Sequence, residues 1–183
     1  MTEENQQEQQ QPAVTPQSKP DKTAKPSVYN QQLTPNFNVK EFLFSDTAAR
    51  RGLKLQPDYY ALDNLKRLCE LILEPLRASL KAPIVITSGY RSQELNRMVR
   101  GARHSKHLLG RAADIVVPGY TPYQVCKRIV ELDLPFSEVI NEFGRWCHVA
   151  VQSDKAPSVF EKQVLTAISQ SGLTHYRTGL HDI

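Results

Sequence analysis

The sequence predicts an α+β domain in which helices pack on a small, mainly antiparallel sheet. Three observations carry this. One long helix-period segment precedes the strands, the β-branched runs are short and bounded by turn residues, and two of those runs flank Gly144-Arg145 as a hairpin. At 183 residues and 40% hydrophobic content, the chain is sized for one well-buried core with tails rather than two full domains.

Taken in order, residues 1–36 are dominated by Gln, Pro, Lys and Glu with almost no large aliphatic side chains. Such a segment cannot bury enough apolar surface to offset the entropy of ordering, so it is read as a disordered arm, a linker or a tether that docks on a partner. The globular part is expected over residues 37–170. In Phe37 to Arg51, the Ser45-Asp46-Thr47 cluster caps a short helical turn. From Asp58 to Lys81, Leu62, Leu65, Cys69, Ile72 and Leu76 recur at three- and four-residue steps, one apolar stripe along a helix. Pro75 interrupts that pattern and predicts a kink or restart near Glu74.

Ile84 to Thr87, between Pro83 and Gly89, reads as a buried strand; Ser92 then caps a helix through Leu95, Met98 and Val99 that Gly101 ends. Ala112 to Val117 is a second strand. Thr121-Pro122 starts a helix with Val125, Ile129 and Val130 turned inward. Phe136 to Phe143 and Trp146 to Val151 form the hairpin. Ser158 to Ser169 has helical spacing at Val159, Val164, Leu165 and Ile168, and residues 171–183 are read as a C-terminal tail with no element of their own.

Composition narrows the function classes. No apolar run is long enough to span a membrane, and the N-terminus lacks the basic-then-apolar order of a signal peptide, so cytoplasmic synthesis is expected. Three cysteines, Cys69, Cys126 and Cys147, are an odd number without close pairing and fit buried thiols made in a reducing compartment. A net charge of +4 and a pI near 9.0 suit an anionic cell-wall polymer as well as nucleic acid. No Lys/Arg block with interleaved aromatics occurs, and a nucleic-acid partner is not expected.

The chemistry concentrates in His107 and Asp114, seven residues apart in SKHLLGRAAD, and in His148 of WCHV. Two imidazoles and one carboxylate are a donor set that leaves a zinc ion one open position, where water is acidified to a pKa of about 7. The set accepts other divalent ions too. Cys147 and His104 are the candidates for a fourth, closing ligand. Cys147 neighbours His148 on a strand, which points its side chain to the opposite face.

SGYRS at Ser88 to Ser92, Asn96, SKHLLGRAAD and EFGRWCHV at Glu142 to Val149, with SDTAARRGL and LEPLR, together resemble one known family. It is the D-alanyl-D-alanine carboxypeptidase branch of the lysostaphin, carboxypeptidase and hedgehog-like zinc peptidases. The resemblance runs from about Phe37 to Val151. It implies His107, Asp114 and His148 as zinc ligands and a peptidoglycan stem peptide as substrate. Several relatives carry an acidic residue three positions before the last ligand, where this chain has Arg145. Glu142 matches the remaining acidic position and is assigned the proton-transfer role, with Glu138 in reserve. Glu142 shares His148's face only if the hairpin loop has an odd number of residues.

Arg91 offers a planar fork for a substrate carboxylate, or else pairs with Glu94 or Asp114; the resemblance implies the former. Ser105 is a substrate-binding candidate, and Gly110 permits the turn between ligands. His104 is left outside the shell. The expectation is a zinc metallopeptidase cutting stem-peptide amide bonds, as a D,D-carboxypeptidase or endopeptidase. Without a signal peptide it would serve as a phage endolysin or a virion-carried lytic enzyme. The alternative is a non-catalytic binding or structural module of the same fold, docked through the Gln-rich arm.

Overall fold

The structure is a computed structural model that describes residues 28–154 and 162–183. Two short strands open it, β1 (Gln32–Thr34) and β2 (Phe37–Asn38), paired antiparallel. The main sheet comprises β3 (Val85–Ser88), β4 (Ala112–Val116), β5 (Phe136–Glu142), β6 (Trp146–Val151), β7 (Gln163–Gln170) and β8 (Leu173–Thr178). Its order is β3-β4-β6-β5-β7-β8, and every pairing is antiparallel except that of β5 with β7. The fold class is α+β.

The helices form where the sequence supplies caps and stripes. Helices α1 (Val39–Phe42) and α2 (Asp46–Arg50) are capped by Asn38 and Ser45. Asp58 accepts from Ala61 N at 2.7 Å to start α3 (Tyr59–Leu68), whose Ala61, Leu65 and Leu68 are buried. A π-turn over Cys69–Leu73 then leads into α4 (Glu74–Leu80), with Pro75 in its first turn. Pro75 lacks an N–H and crowds the carbonyl four residues back, and the widened turn accommodates both. The restart falls at Glu74, as expected from the sequence. Ser92 caps α5 (Gln93–Met98), and a Thr121–Gln124 capping box with Pro122 at the first position starts α6 (Pro122–Glu131).

Strand alternation divides the sheet into two chemical faces. Ala113, Ile115, Val139, Cys147, Val149 and Val151 are buried toward the helices, in one cluster with Leu65, Leu68, Ile72, Val125 and Ile129. Helix α6 packs on β5 and β6, and α3 on β6. The intervening residues Asp114, His148, Ile140 and Leu165 lie in one cross-strand row on the other face. All three cysteines are buried free thiols, and Cys147 faces away from His148, into the core.

Three sequence expectations are corrected. The arm does not extend to residue 36: residues 28–30 form a 3-10 turn, β1 pairs with β2, and Leu33 and Thr34 are buried. The stretch is held by the strand pairing, by burial of Leu33 and Thr34, and by Asn36, whose N and Nδ2 donate to the Glu74 carboxylate at 3.0 and 2.8 Å. The remainder of the arm, residues 1–27, lies outside the described residues. The helix expected over Ser158 to Ser169 is strand β7 from Gln163 onward, while residues 158–161 lie outside the described residues. The C-terminal tail is also structured. Ser171 (φ 53°) and Gly172 (φ 76°) are both left-handed, the requirement of a two-residue hairpin turn, and they fold β8 onto β7. Beyond β8, Thr166 Oγ1 donates to Gly179 O at 2.9 Å and Asn141 Nδ2 to His181 O at 2.8 Å. Among the described residues, no helix is long and apolar enough to cross a membrane.

Candidate metal centre

His107 stands on a 3-10 turn (Lys106–Leu109) between α5 and β4, Asp114 on β4 and His148 on β6. Gly110 ends the turn at φ 67°, and a β-carbon there would fall 2.4 Å from Ala61 O, so glycine is required between the two ligand candidates. The turn is fastened at both ends. Arg91 N donates to His107 O at 3.1 Å, and Asn64 Nδ2 donates to Leu109 O at 2.9 Å.

Three donor atoms converge here. His107 Nε2 lies 3.2 Å from Asp114 Oδ1 and 3.3 Å from His148 Nδ1, and His148 Nδ1 lies 2.8 Å from Asp114 Oδ1. All three residues are buried. The outer atoms of the rings fix which nitrogens are available. His107 Nδ1 lies 2.7 Å from Gly89 O, so its proton sits there and Nε2 carries a lone pair. His148 Nε2 lies 3.2 Å from Glu138 Oε1, which likewise reserves Nδ1. Ligands about 2.0–2.1 Å from a tetrahedral ion stand roughly 3.3 Å apart. The two separations to His107 Nε2 match that spacing, His148 Nδ1 and Asp114 Oδ1 lie at hydrogen-bond distance, and the donor chemistry fits zinc.

Arg91 holds the carboxylate in this orientation. Its Nη2 donates to Asp114 Oδ2 at 2.8 Å, and Nε and Nη2 both reach Ser88 Oγ, at 3.1 and 2.9 Å. Of the two roles the sequence allowed, pairing with Asp114 is the one observed; Nη1 makes no hydrogen bond among the described residues. Asp114 Oδ1 is left for the histidines. Burial alone would raise the Asp114 carboxyl, but the two imidazoles hold it well below the usual range. Burial pushes His107 down. His148, against the same burial, is pushed up to about 9 because it faces both Asp114 and Glu138.

Glu138 reaches the site through a β-bulge. Phe136 pairs with Val151 and Glu138 with Ala150, two residues against one, so Phe136 turns into the core and Glu138 onto the donor face. Ser137 occupies the bulge, its hydroxyl within 3.3 Å of both Ala150 O and Val151 O. Lys106 Nζ lies 3.2 Å from Glu138 Oε2. Burial opposes ionisation of Glu138, but His148 and Lys106 bring its carboxyl down to about 2.

Glu142 pairs with Trp146 across a three-residue loop, so it shares the face of His148. Unlike that of Glu138, its carboxylate makes no hydrogen bond or ion pair among the described residues. Burial, and then the charge of Asp114, raise its carboxyl above the ordinary range. A carboxylate that is unpaired and more basic than usual is suited to exchanging protons.

These groups floor a cleft of about 740 Å³. Ser105 lines it with a hydroxyl free of hydrogen bonds among the described residues. His104 lines it as well, outside the donor cluster. Sequence reasoning missed Lys106, the apolar wall of Ile140, Phe143 and Trp146, and the contribution of Leu165, Thr174 and Tyr176 from β7 and β8. The Ser171-Gly172 pair was the available signal for that last wall.

Among models of known protein families, the one described as Peptidase M15 matches residues 35–150. No curated protein matches the chain. The matched span contains all three donors together with Arg91, Glu138 and Glu142, and it ends before β7 and β8.

Proposed function

The chain belongs to the Peptidase M15 family of metallopeptidases, and from that premise we propose that it is a zinc-dependent peptidoglycan peptidase. It hydrolyses an amide bond of the stem peptide, as a D,D-carboxypeptidase or an endopeptidase. The observation that carries this reading is the convergence of His107 Nε2, Asp114 Oδ1 and His148 Nδ1 beside the unpaired Glu142.

When bound at those three atoms, zinc supplies a Lewis acid that polarises the scissile carbonyl and acidifies water. The chain's own residues do the rest. Glu142 takes a proton at its carboxylate and delivers it to the leaving amine. Arg91 keeps Oδ1 of Asp114 turned toward the histidines, and its Nη1 edge is open to a substrate oxygen. Ser105 offers a hydroxyl to the substrate backbone. Ile140, Phe143 and Trp146 wall the cleft with apolar surface and limit the water that reaches Glu142.

The test is incubation of the zinc-loaded protein with defined muropeptides, followed by mass spectrometry, with a chelated sample beside it. Chelator-sensitive release of D-Ala or of a stem fragment is expected, and identifies the bond. Intact substrates across the panel, with zinc verified in the protein, would overturn the reading in favour of a binding module.

A further inference from the structure

Arg91, Arg100 and Lys106 are the arginine and lysine side chains that line the cleft. Two are already committed: Arg91 to Ser88 and Asp114, Lys106 to Glu138. Arg100 stands on the rim, exposed, with no hydrogen bond or ion pair from its guanidinium among the described residues.

Its backbone is as informative as its charge. Arg100 directly follows Val99, the C-cap of α5, and has φ 55°, in the left-handed region. Glycine is the favoured residue at that place because a β-carbon is strained there. A cation near a helix C-terminus interacts well with the last carbonyls, but Arg97 already occupies the last turn. The chain thus keeps a long cationic side chain where its own fold would be better served by none.

The rim is also fixed in place. Asn96 is buried and donates from Nδ2 to Gly101 O at 3.3 Å and to Ala102 O at 3.0 Å, while Gly101 N returns a bond to Asn96 O at 2.8 Å. A β-carbon on residue 101 would fall 2.1 Å from Asn96 Oδ1, so the clamp closes only on glycine. Arg100 is therefore presented from a braced loop. It lines a cleft in which Arg91 and Lys106 are already paired with Asp114 and Glu138, so among the described residues it is the lining arginine or lysine whose charge is not engaged.

We propose that Arg100 is the anion-binding residue of the cleft and takes a carboxylate of the peptide substrate away from the scissile bond. This rests on the peptidase reading and adds a specificity to it: acidic stem peptides over their amidated forms.

The test uses the full chain, zinc-loaded, in a Glu142→Gln background so that the peptide stays intact. Calorimetry compares a stem tetrapeptide with free carboxylates against the same peptide fully amidated. The free acid is expected to bind roughly tenfold more tightly. Adding Arg100→Gly should shrink that preference to within about twofold, with a thermal midpoint equal to or above that of the parent, and Arg100→Lys should keep part of the preference. An undiminished preference in Arg100→Gly, or no preference in the parent, would overturn the proposal while leaving the peptidase reading standing. If neither peptide binds and neither is cut by the zinc-loaded wild type, that reading fails and this inference with it.

Discussion

Glu138 Oε1 lies 3.2 Å from Nε2 of His148, the nitrogen turned away from the donor cluster. Its other oxygen is held 3.2 Å from Lys106 Nζ, one residue before His107. The carboxylate therefore ties the last ligand candidate to the turn that carries the first. A hydrogen-bonded carboxylate behind a ligating imidazole fixes the ring and raises its basicity. Glu138→Ala is expected to weaken zinc binding by about 10- to 100-fold, and Glu138→Gln by less. Competition with a chromophoric chelator measures this without reference to turnover. Unchanged affinity in Glu138→Ala would show that the contact does not support the metal.

Glu142→Gln separates metal binding from proton transfer. The amide keeps the side chain's size but cannot accept a proton, so zinc content should match wild type while turnover falls by about 10²–10⁴-fold. Full activity in Glu142→Gln would pass the role to Glu138, whose carboxylate is engaged on both oxygens.

The donors and the main helices were legible because their constraints are local. Caps at Ser45, Ser92 and Thr121, the stripe through Leu65, Cys69 and Ile72, and the seven-residue step from His107 to Asp114 all lie within short windows. What escaped depends on distant pairing. Glu138 faces the site only because Ser137 bulges, and the bulge is defined by β6, not by β5 alone. Arg91 reaches Asp114 across the β3–β4 pairing, so that contact could not be read from SGYR. Val164, Leu165 and Ile168 satisfy a helical spacing and also occupy a strand. The left-handed Ser171-Gly172 turn, together with a parallel partner in β5, decides between the two.

The ordered part of the N-terminal segment should carry measurable stability. Leu33 is only 7% exposed, and burial of a leucine side chain contributes about 2 kcal/mol. A chain beginning at Asn36 is expected to melt several degrees below one beginning at Val28. Differential scanning calorimetry on the two decides it. Equal melting temperatures would mean that β1 contributes nothing to the fold, as the sequence alone suggested.

Metal binding and pH should be linked through His148. Its folded value of about 9 lies above the unfolded value near 6.5. In the metal-free protein, the stability this raised value contributes is fully present below pH 6.5 and is lost as pH rises toward 9. Glu138, brought down to about 2, contributes in the opposite direction, above its ordinary 4.5, and is already fully ionised in this window. The expected result is a melting temperature that falls between pH 6.5 and 8.5. Zinc displaces the same proton from Nδ1, so its association constant should rise about tenfold per pH unit over that range, and the zinc-loaded protein should lose the melting slope. Calorimetry in two buffers of different ionisation heat would count the proton released on zinc binding. A metal-free melting profile that is flat from pH 6.5 to 8.5, with no proton released, would mean that His148 is neutral before the ion arrives and that the Asp114–His148–Glu138 chain does not hold a charge.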